Sequence, residues 1–363
     1  MSKLQHSHQS QSQLIQTFLY SIKSVETQKV YLKYLSYFEN FADKKIDSLL
    51  TLHPKAVEQI IIKYIMHMRD NDLSYSSING RLAVIFSFLD LNDVTINHKK
   101  LNRFVGEHVK TIRDEAYTHA DLNKMFEYAS FRIKLIISIY SSTGIRKGAI
   151  LSLRLKHLEK IDSDGHNNYI YKFAVYENTK EQYITFCTPE CASYIDNYIE
   201  QRKKAGEKII DESYLLRNDF NYLSPEKVRK PRPMTITGIT HVIEFLLRKI
   251  EVHTTNHKTE NYKYQRHKKA SFYAFRKYFN TCLANCDVNV TIKEMLMGHS
   301  IGLDDSYYRP TEKQLLTEYM KAVNELTINE ENRLKKKVDE LQVKYDKIDA
   351  LVSRIDYLEK QLK

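Results

Sequence analysis

Four stretches of this chain place a charged or reactive side chain beside a glycine or a turn. In Ser142-Thr143-Gly144-Ile145-Arg146 the small residues let the backbone bend sharply and present a guanidinium. Lys180 ends the turn-like run Glu177-Asn178-Thr179-Lys180 between two β-rich segments. Tyr273-Ala274-Phe275-Arg276 brings a second arginine, followed by Met297-Gly298-His299-Ser300. Ser306-Tyr307-Tyr308-Arg309-Pro310 closes the series. A guanidinium stays charged, and its fork of N–H donors matches two oxygens of a phosphate. An ammonium or imidazole can move a proton, and a phenol can act as a nucleophile. These types suit attack on a phosphodiester with no metal and no cofactor. Singly, each stretch has an ordinary reading as surface arginine, solvated turn lysine or core tyrosine. The order of the set carries the information.

Such groups need a scaffold to converge. The 363 residues suffice for two domains, and 42% hydrophobic residues suffice for their cores. Only 9 Gly and 6 Pro, beside many Leu, Ile, Lys and Glu, predict a mainly α fold. A formal charge of +11 suits a polyanionic partner. Apolar stretches such as Leu135–Tyr140 are too short for a bilayer, so no membrane partner is expected. Ser2–Gln13 is polar where a signal peptide needs an apolar core, and four cysteines do not make a disulfide scaffold. A cytoplasmic location is expected, associated with the nucleoid if the polyanion is DNA.

Helical periodicity begins at Leu14–Ile22. It continues through Tyr31, Tyr34, Leu35, Phe38, Phe41 and Ala42, then through Val57, Ile60, Ile61, Tyr64, Ile65 and Met68 behind Pro54. Ile78, Leu82, Ile85, Phe86 and Leu89 mark a fourth helix, capped from among Ser74–Ser77. Residues 10–105 therefore read as one helical domain. The charged stretch 106–117 reads as a linker, and Thr118 with Asp121 as a helix start. Tyr169–Phe186 reads as a small sheet or hairpin inside a mostly helical domain, 118–328. From 329 to 363, Leu334, Val338, Leu341, Tyr345, Ile348, Val352, Ile355 and Leu362 alternate four and three apart, which predicts a C-terminal coiled-coil helix. Charges nearly cancel there, so the positive excess lies in the rest of the chain.

Together and in order, the four stretches resemble the tyrosine recombinase/integrase family over roughly residues 10–328. Arg146 sits in a Thr-Gly-x-Arg box, Lys180 in the β-hairpin, and Arg276 in the box that usually begins with histidine. His299 lies in a Leu-x-Gly-His motif, and Tyr308 falls nine residues beyond it, where the family carries its nucleophile. The phrase around Tyr308 is most similar to archaeal members carried by mobile elements. The resemblance implies a helical core-binding domain that clamps duplex DNA and a mostly helical catalytic domain. It implies a 3′-phosphotyrosine intermediate, with Arg146, Arg276 and His299 stabilising the phosphoryl oxygens, Tyr308 attacking and Lys180 protonating the leaving oxygen. It also implies integration or excision of a mobile element by a tetramer assembled on double-stranded DNA, with a non-catalytic element-encoded DNA-binding protein or a type IB topoisomerase-like relaxing enzyme as the alternatives.

Two positions depart from the family pattern. Tyr273 replaces the usual histidine, and its phenol is a poor base at neutral pH. Ala149 stands where an acid usually orients the first arginine, so another group must hold Arg146. Lys172, eight residues before Lys180, is the rival lysine on the hairpin. Cys187 with Cys191 and Cys282 with Cys286 share a zinc-compatible spacing but read better as small buried hydrophobes. For DNA contact the sequence points to Ser76, Ser77, Asn79 and Arg81 beside the apolar stripe of the fourth helix, and to Lys268 and Lys269 in a basic stretch. The heptads predict self-association, with packing back onto the chain's own domain as the alternative.

Overall fold

The computed structural model describes residues 12–107, 114–162, 169–218, 224–252, 269–302 and 308–361. They divide into two compact units, 12–107 and 114–361.

The first unit is entirely helical. Its helices are α1 (Gln13–Tyr20), α2 (Val25–Ala42), the single turn α3 (Ile46–Leu49), α4 (Pro54–Asp70), α5 (Tyr75–Leu91) and the short α6 (His98–Asn102). Ser12, Ser24, Ser74 and Asn97 cap their helices with side-chain oxygens, and Pro54 occupies the first turn of α4, where a missing N–H is harmless. Leu35 and Phe38 of α2, Ile61 and Ile65 of α4, and Ile78, Leu82 and Ile85 of α5 form one buried cluster. Glu58 ties α6 to this core: it accepts from the Asn97 backbone N–H at 2.9 Å and meets Lys100 at 2.6 Å.

In the second unit, α7 (His119–Tyr128) begins with the Thr118–Asp121 capping box. α8 (Phe131–Thr143) follows and is buried throughout Leu135–Thr143, as a helix at the centre of a unit must be. After the short α9 (Ala149–Ser152) come β1 (Leu158–Asp162), β2 (Tyr169–Val175) and β3 (Tyr183–Phe186). They form an antiparallel sheet in the order β1-β2-β3, with Phe173 of β2 opposite Leu158 on one side and Thr185 on the other. Helices α10 (Pro189–Lys204), α11 (Pro225–Arg229), α12 (Ile236–Lys249), α13 (Ser271–Asn285), α14 (Val290–Leu296) and α15 (Glu312–Leu326) complete the unit. Tyr117, read from sequence as linker, is 2% exposed in this unit's core and donates through its hydroxyl to the Ser271 carbonyl at 3.0 Å. Cys187, Cys191 and Cys282 are buried in the same core.

The last helix, α16 (Glu330–Gln361), follows α15 after a short break. Leu334, Val338, Leu341, Tyr345, Ile348, Val352 and Ile355 are all exposed on it, so this apolar stripe is not folded back onto the chain's own domain. Among the described residues no helix is long and apolar enough to cross a membrane.

Candidate active site

The first arginine hangs on the end of α8. Gly144 caps that helix in the left-handed conformation, at φ +58°, and a Cβ there would lie 2.3 Å from Cδ1 of Phe279. Only glycine meets both conditions. A helix end buried this deeply must find partners for its last carbonyls. Three different elements supply them. Tyr319 of α15 donates to the Ser142 carbonyl at 2.9 Å, Thr185 of β3 to that of Thr143 at 3.1 Å, and Arg276 of α13 to that of Gly144. The Tyr140 hydroxyl closes the turn by donating to the Lys147 carbonyl at 2.8 Å.

This turn aims Arg146 at the loop after α14. Its Nη2 donates to the Gly298 carbonyl at 2.6 Å, while its Nη1 is enclosed and unpartnered. The position three residues on, Ala149, is fully buried. A backbone carbonyl thus holds the arginine where an acid is usual. Gly298 is again left-handed, at φ +64°.

Arg276 is 7% exposed. Besides Gly144 it reaches the Met297 carbonyl at 3.1 Å and His299 Nε2 at 2.7 Å. Burial lowers its pKa, with Arg146 adding to the effect, yet a guanidinium remains charged. His299 also meets Glu294 of α14, Nδ1 to carboxylate, at 2.5 Å. The pattern assigns the tautomer: Nδ1–H donates to Glu294, and Nε2 accepts from Arg276. Arg146, Arg276 and His299 are therefore brought together, joined through Gly298 and Met297.

The other predicted residues are found in different states. Tyr273, on the same helix as Arg276, is exposed, with the Lys277 ammonium 5.2 Å above its ring. Lys180 is exposed in the turn between β2 and β3. Its rival Lys172 is committed to Glu159 and Glu312 at 2.5 and 2.8 Å. Tyr308 is exposed just ahead of α15; Tyr307 lies outside the described residues.

Of the residues assigned to DNA contact, Ser76 is exposed on the first turn of α5, whereas Ser77 bonds to the Ser74 hydroxyl at 2.9 Å and Asn79 to the Tyr75 carbonyl at 3.1 Å. Arg81 is braced with its guanidinium 4.5 Å from the Tyr37 ring and a bond to the Tyr64 hydroxyl at 3.4 Å. Lys269 pairs with Asp121 at 2.6 Å, and Lys268 lies outside the described residues.

No family model matches the chain. Tyrosine recombinase XerC of two Staphylococcus epidermidis strains is 22% identical over 322 residues, covering 85% of this chain and 96% of the relative. The chain is thus similar to tyrosine recombinases over most of its length. Its fold is similar to that of the Tn1549 transposon integrase in complex with circular intermediate DNA (TM-score 0.53, 18% identity), across 84% of this chain and 98% of that one. The same integrase in complex with transposon right-end DNA gives a TM-score of 0.55 at 19% identity, across 85% and 98%.

Two groups of the centre carry little or no signal in the sequence. Glu294 lies five residues before His299, little more than a helical turn, and an acid so near a motif histidine was a usable signal. The Gly298 carbonyl, which holds Arg146, carries no side-chain signature at all.

Proposed function

We propose that this chain is a site-specific DNA recombinase that cleaves and rejoins strands through a 3′-phosphotyrosine. The observation that carries this reading is the pair of guanidiniums fixed around Gly144 and Gly298, with the buried Arg146 Nη1 left without a partner. A buried donor with no acceptor is unfavourable by about 1–3 kcal/mol, and an arriving phosphate oxygen removes that penalty. Charge building on the non-bridging oxygens is then met by donors already in place. The exposed Tyr308 hydroxyl gives its proton to water as its oxygen bonds to phosphorus, the bond to the 5′ oxygen breaks, and Lys180 gives that oxygen a proton. The products are a phosphotyrosine and a free 5′-hydroxyl, and the reverse attack reseals the strand.

Integration or excision of a mobile element is the role, supported by the similarity of fold to a transposon integrase. Residues 10–105 act as the DNA clamp with Arg81 facing the duplex, 118–328 as the catalytic domain, and 329–363 as a tail. Self-association through the exposed stripe of α16, up to a tetramer on double-stranded DNA, belongs to the same proposal. Lys344 could reach Asp349 of a second copy as a g-to-e′ pair.

The decisive experiment is incubation with nicked duplexes carrying candidate attachment sites, followed by denaturing electrophoresis. Wild type and Tyr307→Phe should form a covalent protein–DNA adduct, and Tyr308→Phe should form none while still binding. An adduct from Tyr308→Phe but not Tyr307→Phe would move the nucleophile by one residue. No adduct from any variant would defeat the enzyme reading.

A further inference from the structure

A tyrosine flanks the arginine centre that no family motif singles out. Tyr183 opens β3 and is 9% exposed. Its ring lies against Gly298, where a Cβ would come within 2.4 Å of ring carbons Cδ1 and Cε1. Arg146 Nη2 is bound to the carbonyl of that same Gly298, so ring and guanidinium flank one residue. The Tyr183 Oη is enclosed beside the Arg276 side chain and the Arg146 backbone N–H, both of them donors, and finds no acceptor for its own proton; Arg146 Nη1 is likewise enclosed and unpartnered. Burial pushes the phenol's pKa up to about 12, against the pull of Arg276 and Arg146. At neutral pH the hydroxyl is therefore a protonated donor.

No acceptor in the packing around β3 takes that hydroxyl's proton. Phenylalanine would fill the same space without an enclosed polar atom, which folding disfavours unless something later binds it. Two such donors beside one glycine, at the centre that meets a phosphate, have a common explanation.

We infer that Tyr183 is a further phosphate ligand, its hydroxyl donating to a non-bridging oxygen of the scissile phosphate beside Arg146 Nη1. The inference rests on the recombinase reading and extends it by one catalytic residue.

The test compares the full-length wild type with Tyr183→Phe on nicked duplexes carrying candidate attachment sites. Cleavage should slow by about 10²-fold, the loss typical of one oxyanion donor. Duplex affinity should persist, and the melting temperature should change little, since the hydroxyl's proton has no acceptor in the fold. A second pair of substrates replaces one or the other non-bridging oxygen by methyl. On the stereoisomer lacking the oxygen that Tyr183 serves, the variant should be no slower than wild type. An equal loss on native and both methylated substrates would overturn the inference, because Tyr183 would then act only through the arginines. So would native cleavage within about twofold of wild type, against the 10² expected. If wild type forms no adduct on any nicked duplex, the recombinase reading fails and this inference with it; if wild type cleaves and only the Tyr183 effects are missing, the inference fails alone.

Discussion

Gly144→Ala tests the arginine centre through its backbone. The new Cβ must adopt φ +58° and lie 2.3 Å from Phe279 Cδ1, a ring fixed in the core. A left-handed non-glycine residue costs about 1–2 kcal/mol, and forcing a methyl into a packed core about 1–3 kcal/mol. The sum, roughly 2–5 kcal/mol, should lower the melting temperature of the second unit by at least about 4 °C. The two contributions can be separated. Phe279→Leu alone should destabilise by about 1–2 kcal/mol, but in the double variant the methyl gains room. The double variant should then be more stable than the sum of the singles by about 1–3 kcal/mol, leaving only the backbone strain. With no tryptophan in the chain, far-UV circular dichroism is the natural probe. Gly144→Ala melting within about 2 °C of wild type would refute the reasoning, as would strict additivity with Phe279→Leu.

Three further outcomes are expected. Glu207 lies between Arg202 and Arg217, at 2.6 and 2.5 Å, with all three side chains at most 3% exposed; Glu207→Gln should cost about 3–5 kcal/mol in denaturant unfolding by stranding two buried cations. Burial pushes the Glu207 pKa up, but the two arginines outweigh it and hold it below the usual carboxylate value. Its contribution is therefore complete above the unfolded-state pKa and lost as pH falls through the lower folded one, so the variant should show a shallower acid limb in a stability–pH profile. Truncation after Ile328 should reduce oligomer mass in light scattering while leaving single-site cleavage nearly intact; an unchanged mass distribution would count against pairing through α16. Lys180→Ala should lose cleavage of an ordinary phosphodiester yet recover it when sulfur replaces the leaving 5′ oxygen, since a thiolate departs without a general acid.

Local chemistry was the legible part of the fold. Pro54 at a first helical turn, the Thr118–Asp121 box and the β-rich runs around Lys180 each set their own element, and each is found there. β1 was not legible. Leu158-Glu159-Lys160-Ile161-Asp162 carries three charges, and only pairing with β2, Glu159 opposite Lys172, makes it a strand. The turns α3 and α6 are too short to show a period, and Tyr117 sits in a charged run that conceals its burial. On α5, Ser77 and Asn79 looked like free polar groups. Both bond within their own helix, as short polar side chains commonly do. At the site, the arginines and His299 could be read from their order, whereas what holds them could not. A backbone carbonyl has no letter in a sequence, and Tyr183 reads as one more strand aromatic until Gly298 is seen against it.

The partners of the buried end of α8 have a consequence for when the arginine centre assembles during synthesis. The carbonyls of Ser142, Thr143 and Gly144 are held from β3, α13 and α15, and the last of those ties comes from Tyr319. A ribosome-bound chain that has released Arg146, Lys180, Arg276 and even Tyr308 still lacks the side chain that fastens the first arginine's turn. Fragments truncated before α15 would present the reactive groups unassembled. The turn that carries Arg146 is thereby fully fastened only when this unit has been synthesised as far as α15.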